Sequence, residues 1–400
     1  MTDLFEGTKK ILVIKLRHIG DVLLTVPAIR ALKESFPGSE VTALVNSGTE
    51  EMLIGNPLVK EVICYERSVK SLSAVPRLAE EVRLVNKLRR EKFDMTVDLT
   101  GGDRPALLGF MTGARYRLGY RPKGGFKGKK LLYTHLAERP AVRTHTVLTD
   151  LGVVRAFGID TKDLSVDIFT TKEDDSFVEN ALKEAGYRGG PIMHAHPTSR
   201  WLFKCWTDEG MASVFDRLQD SGFTVVLTSG PEDRELGKVA SIISLMKTLP
   251  VDLSGRLKLK HLAGLSRRAE FFFGVDSAPM HIAAASGARV VGIFGPSGAF
   301  DWGPWDNGEI KKSGYEGRET SGVNSPYPKK GGVQRFGGNT VIQEERDCVP
   351  CGKDGCDGSK KSDCLDVITP EAVWKILEER GLSVPRPGAA DAGARQGSAP

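Results

Sequence analysis

Short apolar runs alternate with helix-length stretches of mixed polarity along most of this 400-residue chain. The first run, residues 10–16, is nearly all aliphatic, as a strand buried on both faces must be. It ends at Arg17-His18-Ile19-Gly20-Asp21. Leu23, Val26, Ile29, Ala31 and Leu32 then recur at the spacing of a helix over 22–35, with Pro27 about two turns in, where it should bend or crowd the helix. The same reading predicts strands at 40–45, 61–64 and 95–99 and helices at 75–90, 104–111 and 144–157. Residues 117–130, RLGYRPKGGFKGKK, read as a loop.

After a linker at 160–171 the alternation starts again. Helices are predicted at 173–185, 207–221, 234–245 and 258–267, and strands at 191–195, 224–228 and 251–253. Residues 298–343 read as a Gly- and Lys-rich loop, 370–380 as a helix and 385–400 as a disordered tail. Strand–helix alternation of this kind predicts an α/β protein with two doubly wound domains, 1–165 and 170–345. A cysteine cluster at 346–366 and a helix within 367–384 follow them.

Residues 271–298, FFFGVDSAPMHIAAASGARVVGIFGPSG, form one strand–turn–helix–strand unit. Phe271, Phe272, Phe273 and Val275 make the strand; Asp276 and Ser277 end it. Pro279 suits the start of a helix, Gly287 stops that helix, and 289–294 supplies the next strand. The turn places a carboxylate, a hydroxyl, unpaired backbone N–H groups and His281 at the carboxyl end of a strand. Open α/β sheets bind ligands there, and a helix N-terminus favours phosphate. The structural alternative makes Asp276 or Ser277 a helix cap and His281 an ordinary core or surface histidine.

Charge changes this picture little overall. The 56 basic and 51 acidic residues leave a net +5, too mild to imply nucleic acid, although local patches still matter. The loop 117–130 is such a patch, with six basic residues and no acid. No run of 18 apolar residues occurs, and the start MTDLFEGTKK lacks the apolar core of a signal peptide, so a soluble cytoplasmic protein is expected. Of the six cysteines, Cys348, Cys351, Cys356 and Cys364 fall within seventeen residues as C-x2-C-x4-C-x7-C. In a reducing compartment four such thiols suit one closed tetrahedral zinc or iron site of structural kind better than two disulfides, the alternative being four free thiols.

Three further stretches carry candidate chemistry, each just after a strand. Asp21 lies where a helix begins, so it serves as a cap or as a ready though intrinsically weak general base. In His196-Pro197-Thr198-Ser199-Arg200-Trp201-Leu202-Phe203-Lys204, hydroxyls and an ammonium make a cradle for a diphosphate, or else the tryptophan simply packs. In Ser229-Gly230-Pro231-Glu232-Asp233-Arg234, a carboxylate could accept from ribose hydroxyls or cap the next helix. No G-x-G-x-x-G follows a strand, and no Walker lysine motif, G-x-S-x-G elbow or Asp-x-Asp tripeptide occurs.

Taken together, ILVIKLRHIGDVLLTVPAIRAL, PTSRWLFKCW, SGPEDREL and GVDSAPMHIAAASGARVVGIFGPS closely resemble the ADP-heptose:lipopolysaccharide heptosyltransferases. The branch that adds the third heptose of the inner core is the most similar. The resemblance runs from about residue 10 to about residue 380. It implies the GT-B arrangement, two Rossmann-like domains facing a cleft, and transfer with inversion that calls for no cofactor in the chemistry. It implies Asp21 as general base, and donor contacts from Thr198, Ser199, Lys204, Asp233, Asp276, Ser277, Ala278 and His281. Arg104, Arg121, Lys123 and Lys127 go to the acceptor side. The partners implied are ADP-heptose, the lipopolysaccharide inner core and, peripherally, the inner face of the inner membrane. Two rivals stand beside this reading: the same chemistry on a protein acceptor, and a nucleic-acid-binding protein with a zinc module. The basic loop has only Tyr120 and Phe126 as interleaved aromatics, thin for stacking on bases.

Overall fold

The aliphatic run at the start forms β1 (Lys10–Lys15), with Ile11 to Ile14 fully buried. A computed structural model describes residues 2–66, 73–317 and 322–385 of the chain. The expected tail falls outside the described residues beyond 385. The chain divides into two compact units, Met1–Phe169 with Gly314–Asn324, and Thr170–Ser313 with Ser325–Pro400. Residues 314–317 and 322–324, placed by the sequence in the second domain, therefore belong to the first unit.

In the first unit, β1 pairs in parallel with β2 (Glu40–Asn46) and β4 (Met95–Asp98); β3 (Glu61–Tyr65), β5 (Tyr116–Tyr120) and β6 (His135–Ala137) extend the sheet. The order β3-β2-β1-β4-β5-β6 is that of a dinucleotide-binding fold and reverses between β1 and β4. The helices are α1 (Ile19–Leu23), α2 (Val26–Ser35), α3 (Ala74–Arg90), α4 (Asp103–Met111) and α5 (Thr146–Arg155). The expected single helix at 22–35 is thus two, and Pro27 sits in the first turn of α2, where its missing N–H leaves no hydrogen bond unmade. A minor pair joins β7 (Arg143–Thr144) to β13 (Val323–Asn324).

Part of the expected loop 117–130 is β5. Arg117 and Gly119 interrupt its apolar pattern, yet Tyr116, Leu118 and Tyr120 are buried. Gly119 is needed there, since a Cβ would lie 2.5 Å from the Tyr133 ring. Arg117 turns back to donate to Leu132 O and Ala114 O, both at 2.7 Å.

The second unit repeats the plan with β8 (Ile192–His196), β9 (Thr224–Leu227), β10 (Val251–Asp252), β11 (Ala269–Val275) and β12 (Val290–Phe294). Helices α6 (Lys172–Glu184), α7 (Asp208–Asp220), α8 (Asp233–Leu245), α9 (Leu259–Arg268) and α10 (Ala278–Ala285) alternate with these strands. The stretch expected to be one long loop instead holds α11 (Ala299–Trp302), α12 (Asn307–Ser313) and a hairpin of β14 (Gly332–Phe336) and β15 (Asn339–Gln343). β15 joins the sheet parallel to β12, and β14 closes the edge antiparallel to it, in the order β10-β9-β8-β11-β12-β15-β14. After α13 (Asp363–Asp366), α14 (Pro370–Glu379) sends Val373, Ile376 and Leu377 into the core built by Trp206, Phe215, Phe271 and Phe273. Among the described residues no helix is long and apolar enough to cross a membrane.

Candidate functional site

In the second unit four loops leave the carboxyl ends of adjacent parallel strands. They follow β9, β8, β11 and β12 and carry Ser229-Gly230, Thr198-Ser199, Asp276-Ser277 and Ser297. The strand order reverses between β8 and β11, so the second and third of these loops flank the switch point where such sheets bind ligands.

Two stretches 72 residues apart in sequence meet there. Lys204 Nζ donates to Asp276 Oδ2 at 2.7 Å and lies 5.3 Å from the Trp201 ring centroid. Burial by itself would raise the Asp276 carboxyl, but the Lys204 ammonium, with help from Ser297 and His281, outweighs it and holds the group below its usual range. Ser277 occupies the N-cap position of α10 without a side-chain capping bond; the helix starts at Ala278 and carries buried His281. Ser277 Oγ, shielded from solvent, makes no hydrogen bond among the described residues. A buried hydroxyl and the first N–H groups of α10 beside an ammonium suit a dianionic group.

Thr198 and Asp233 differ from their expected settings. Thr198 is fully buried, and its hydroxyl donates to Glu235 Oε2 at 2.7 Å; Ser199 is also buried. Asp233, the first residue of α8, is exposed. The acid that faces inward is Glu235, which sequence reading passed over. The same Oε2 accepts from Gly230 N–H at 3.3 Å, and a Cβ on Gly230 would come within 2.6 Å of Glu235 Oε1. Glu235 therefore ties the loop after β8 to the loop after β9.

Behind Thr198 runs a buried polar chain. Its Oγ1 lies 3.4 Å from His196 Nε2; His196 Nδ1 and His194 Nε2 each lie 2.9 Å from Thr228 Oγ1; His194 Nδ1 lies 2.9 Å from Ser266 Oγ. Burial pushes His196 down to about 3 and His194 well below its ordinary value, so both imidazoles are neutral.

In the first unit the corresponding switch lies between β1 and β4. Leu16 N–H donates to Thr100 Oγ1 at 2.9 Å, and Arg17 reaches Thr100 O at 3.3 Å. Asp21, half-buried in the first turn of α1, accepts from His18 N–H at 3.2 Å, so it does cap the helix, a role compatible with a base. Beneath this loop Lys15 Nζ meets both carboxylate oxygens of Asp150 at 2.7 Å, with both side chains buried. Burial drives Asp150 up to about 7, against the pull of Lys15; Asp21 adds to the rise and Arg17 opposes it.

Of the residues assigned to the acceptor side, Arg104 pairs with Glu81 and stacks 4.8 Å from the Tyr65 ring, and Arg121 pairs with Glu138 at 2.5 Å. Lys123 and Lys127 are exposed. The cation that the structure draws inward is Lys129, buried and bonded to Asp103 and to Gly101 O at 3.0 Å each.

Cys348 and Cys351 are exposed, Cys356 half-buried and Cys364 buried. Burial first, and then the neighbouring thiols of Cys356, Cys351 and Cys348, push Cys364 up to about 11. The four are neighbours, but among the described residues no three His, Cys, Asp or Glu side chains converge tightly enough to hold a metal ion.

The profile of glycosyltransferase family 9 (heptosyltransferase) matches residues 81–322. Lipopolysaccharide heptosyltransferase 3 of Escherichia coli (strain K12) is 32% identical over 303 residues, 74% of this chain and 85% of that protein. Among solved structures, the family 9 glycosyl transferase of Veillonella parvula superposes with a TM-score of 0.72 at 22% identity, covering 93% of this chain and 97% of that one. E. coli ADP-heptose lps heptosyltransferase II gives 0.67 at 19% identity, with 93% and 98% covered. The likeness to these structures shows the GT-B fold.

Proposed function

The chain belongs to glycosyltransferase family 9, the heptosyltransferases, and from that premise we propose that it transfers heptose from ADP-heptose to the inner core of lipopolysaccharide, most like the enzymes that add the third heptose. The observation that carries the donor half is the Lys204–Asp276 contact beside Ser277 and the start of α10. An incoming diphosphate would accept from Lys204, Ser277 and the α10 N–H groups, and its charge would be met without a cation brought by the donor.

In this reading an acceptor hydroxyl attacks the anomeric carbon. The bond from that carbon to the diphosphate oxygen breaks, ADP leaves with the electron pair, and the hydroxyl proton passes to Asp21. Asp21 is a weak base, suited to a proton that leaves late. Lys204 and α10 stabilise charge on the departing ADP. Arg104, Arg121, Lys123 and Lys127 are read as the acceptor side, and Asp233 as a ribose contact. Thr198 and Ser199 shape the diphosphate loop. The protein would work at the inner face of the inner membrane, where a lipid-anchored acceptor resides.

The test has two parts. ADP-heptose should raise the melting temperature more than ADP-glucose or a UDP-sugar does. Asp21→Ala should lower turnover by about 10²–10⁴ while ADP binding stays intact. Turnover like that of the wild type in this variant would reduce Asp21 to its cap. A preference for another nucleotide sugar would replace the donor.

We further read Cys348, Cys351, Cys356 and Cys364 as holding one structural zinc or iron. Thiolate donors suit either metal, and what supports the reading is the spacing C-x2-C-x4-C-x7-C within seventeen residues. Elemental analysis should find about one metal per chain on this four-thiolate rule. Metal-free protein with four freely titratable thiols would end it.

A further inference from the structure

Between Arg104 and Ala137 the chain carries eight basic residues and no acidic one, although its overall net charge is only +5. Part of this segment is apolar and exposed. On α4, Leu107, Phe110 and Met111 stand at i, i+3 and i+4 and are 39%, 48% and 45% exposed, while Pro105, Ala106, Leu108 and Gly109 face the core. The segment that folds back beside α4 adds Leu131, 73% exposed, and Phe126, 41%. Arg117 joins the two: its guanidinium lies 5.4 Å from the Phe110 ring centroid and its Nε donates to Leu132 O. Lys123, Lys127 and Lys130 are exposed on the same loop and make no ion pair among the described residues. The neighbouring acid, Asp103, is already taken by Lys129.

We infer that this face of the first unit, the α4 stripe with the basic loop beside it, docks on an anionic lipid bilayer. The charge pattern selects the occupant. The acceptor's sugar phosphates, to which Lys123 and Lys127 are assigned above, would explain those lysines but leave Lys130 and the exposed Leu, Phe and Met stripe unused. A bilayer interface takes both, burying the apolar side chains at the acyl boundary while Lys and Arg reach the anionic headgroups. α4 begins at the carboxyl end of β4, beside the Arg17–Asp21 loop. A docked α4 would therefore hold that loop close to the headgroup layer. The inference rests on the lipid-anchored acceptor proposed above.

The experiment is sedimentation of the full chain with vesicles of phosphatidylcholine alone or mixed with phosphatidylglycerol. Binding is expected on the mixed vesicles and should weaken at high salt. Each lysine removed should cost about fivefold in partitioning, so Lys127→Ala with Lys130→Ala should lose on the order of 25-fold. Phe110→Asp with Met111→Asp should abolish binding, yet transfer to a water-soluble, deacylated acceptor should continue unchanged. Failure of the wild type to bind mixed vesicles, or equal binding by the variants, overturns the inference. So does loss of transfer to the soluble acceptor in the Phe110/Met111 variant, which would put the patch in the acceptor site. A concentration-dependent dimer that this variant abolishes also overturns it, assigning the face to a second copy. Patch-dependent vesicle binding in a protein that transfers no heptose would uphold the docking and reject the reaction.

Discussion

At the scale of single residues, Glu235 ties together two loops that the proposed function gives to the donor, without needing to touch the donor itself. One carboxylate oxygen accepts from Thr198 and from Gly230, in loops that follow neighbouring strands. Glu235→Gln keeps the shape but sets an amide NH₂ or a neutral oxygen where both donors point, and an unmade buried hydrogen bond costs about 1–3 kcal/mol. The expected result is weaker ADP binding, on the order of tenfold, with a raised donor KM and a smaller change in kcat. Thr198→Ser should behave like the wild type and Thr198→Val like Glu235→Gln. Titration showing the same ADP affinity in Glu235→Gln would remove the clamp. Asp21, Asp276 and Ser277 were legible in the sequence because each stands between an apolar run and the body of the next helix, which places it at a sheet's ligand-binding end. Glu235 was not, because its partner Thr198 is 37 residues away and Asp233 offered a nearer acid. The burial of Thr198 was hidden for the same reason.

At the scale of elements, the cysteine segment braces the loops that carry Lys204 and Ser297, the proposed donor side. Gly352 N–H donates to Pro296 O at 2.8 Å, Ser362 Oγ donates to Phe203 O at 2.6 Å, and Leu365 packs so closely on Gly295 that a Cβ there would lie 2.9 Å from it. Phe203 and Pro296 directly precede Lys204 and Ser297. If the thiols hold a metal, Cys351→Ser should loosen this brace, speed hydrogen exchange in 346–366 and raise the donor KM, while residual turnover still depends on Asp21. Unchanged exchange and KM would mean the segment needs no metal to do its work. Most strands and helices of both sheets could be read from their periodicity, but β5, β6 and the β14–β15 hairpin could not. The hairpin's apolar positions are few and it is bracketed by Gly331-Gly332 and Gly337-Gly338. The second pair forms the two-residue turn between paired Phe336 and Asn339, so glycines that suggested a loop in fact mark a hairpin. Pro27 misled in the opposite sense, since a proline that crowds one long helix is at ease in the first turn of a new one.

At the scale of the whole molecule, the histidines that burial lowers furthest lie in the second unit and the carboxyls that it raises lie in the first, so acid should act on the two differently. In the second, His194 and His196 are held neutral by burial. Below their ordinary value of 6.5 the unfolded chain takes up protons that native His196 refuses until about pH 3 and that native His194, pushed well down by burial, refuses too. Stability is therefore lost as pH falls, at about 1.4 kcal/mol per histidine per pH unit. In the first unit, Asp150 is raised to about 7 and Asp98 is also raised, both chiefly by burial. There the native state binds the proton that the unfolded carboxylate, with an ordinary value of 3.8, gives up. Between about 7 and 3.8 acid thus favours the folded first unit, and half-buried His135 opposes this only in part. Going from pH 7 to pH 5, limited proteolysis should begin to cut within residues 170–313 and 325–385 while the first unit stays protected. Calorimetry should show the transition broaden or split as the second unit's contribution moves to lower temperature. Cleavage starting in residues 2–66 or 73–169 would reverse the assignment, because it would mean that Asp150 remains ionised beside Lys15 and that the histidines find protons in the folded state.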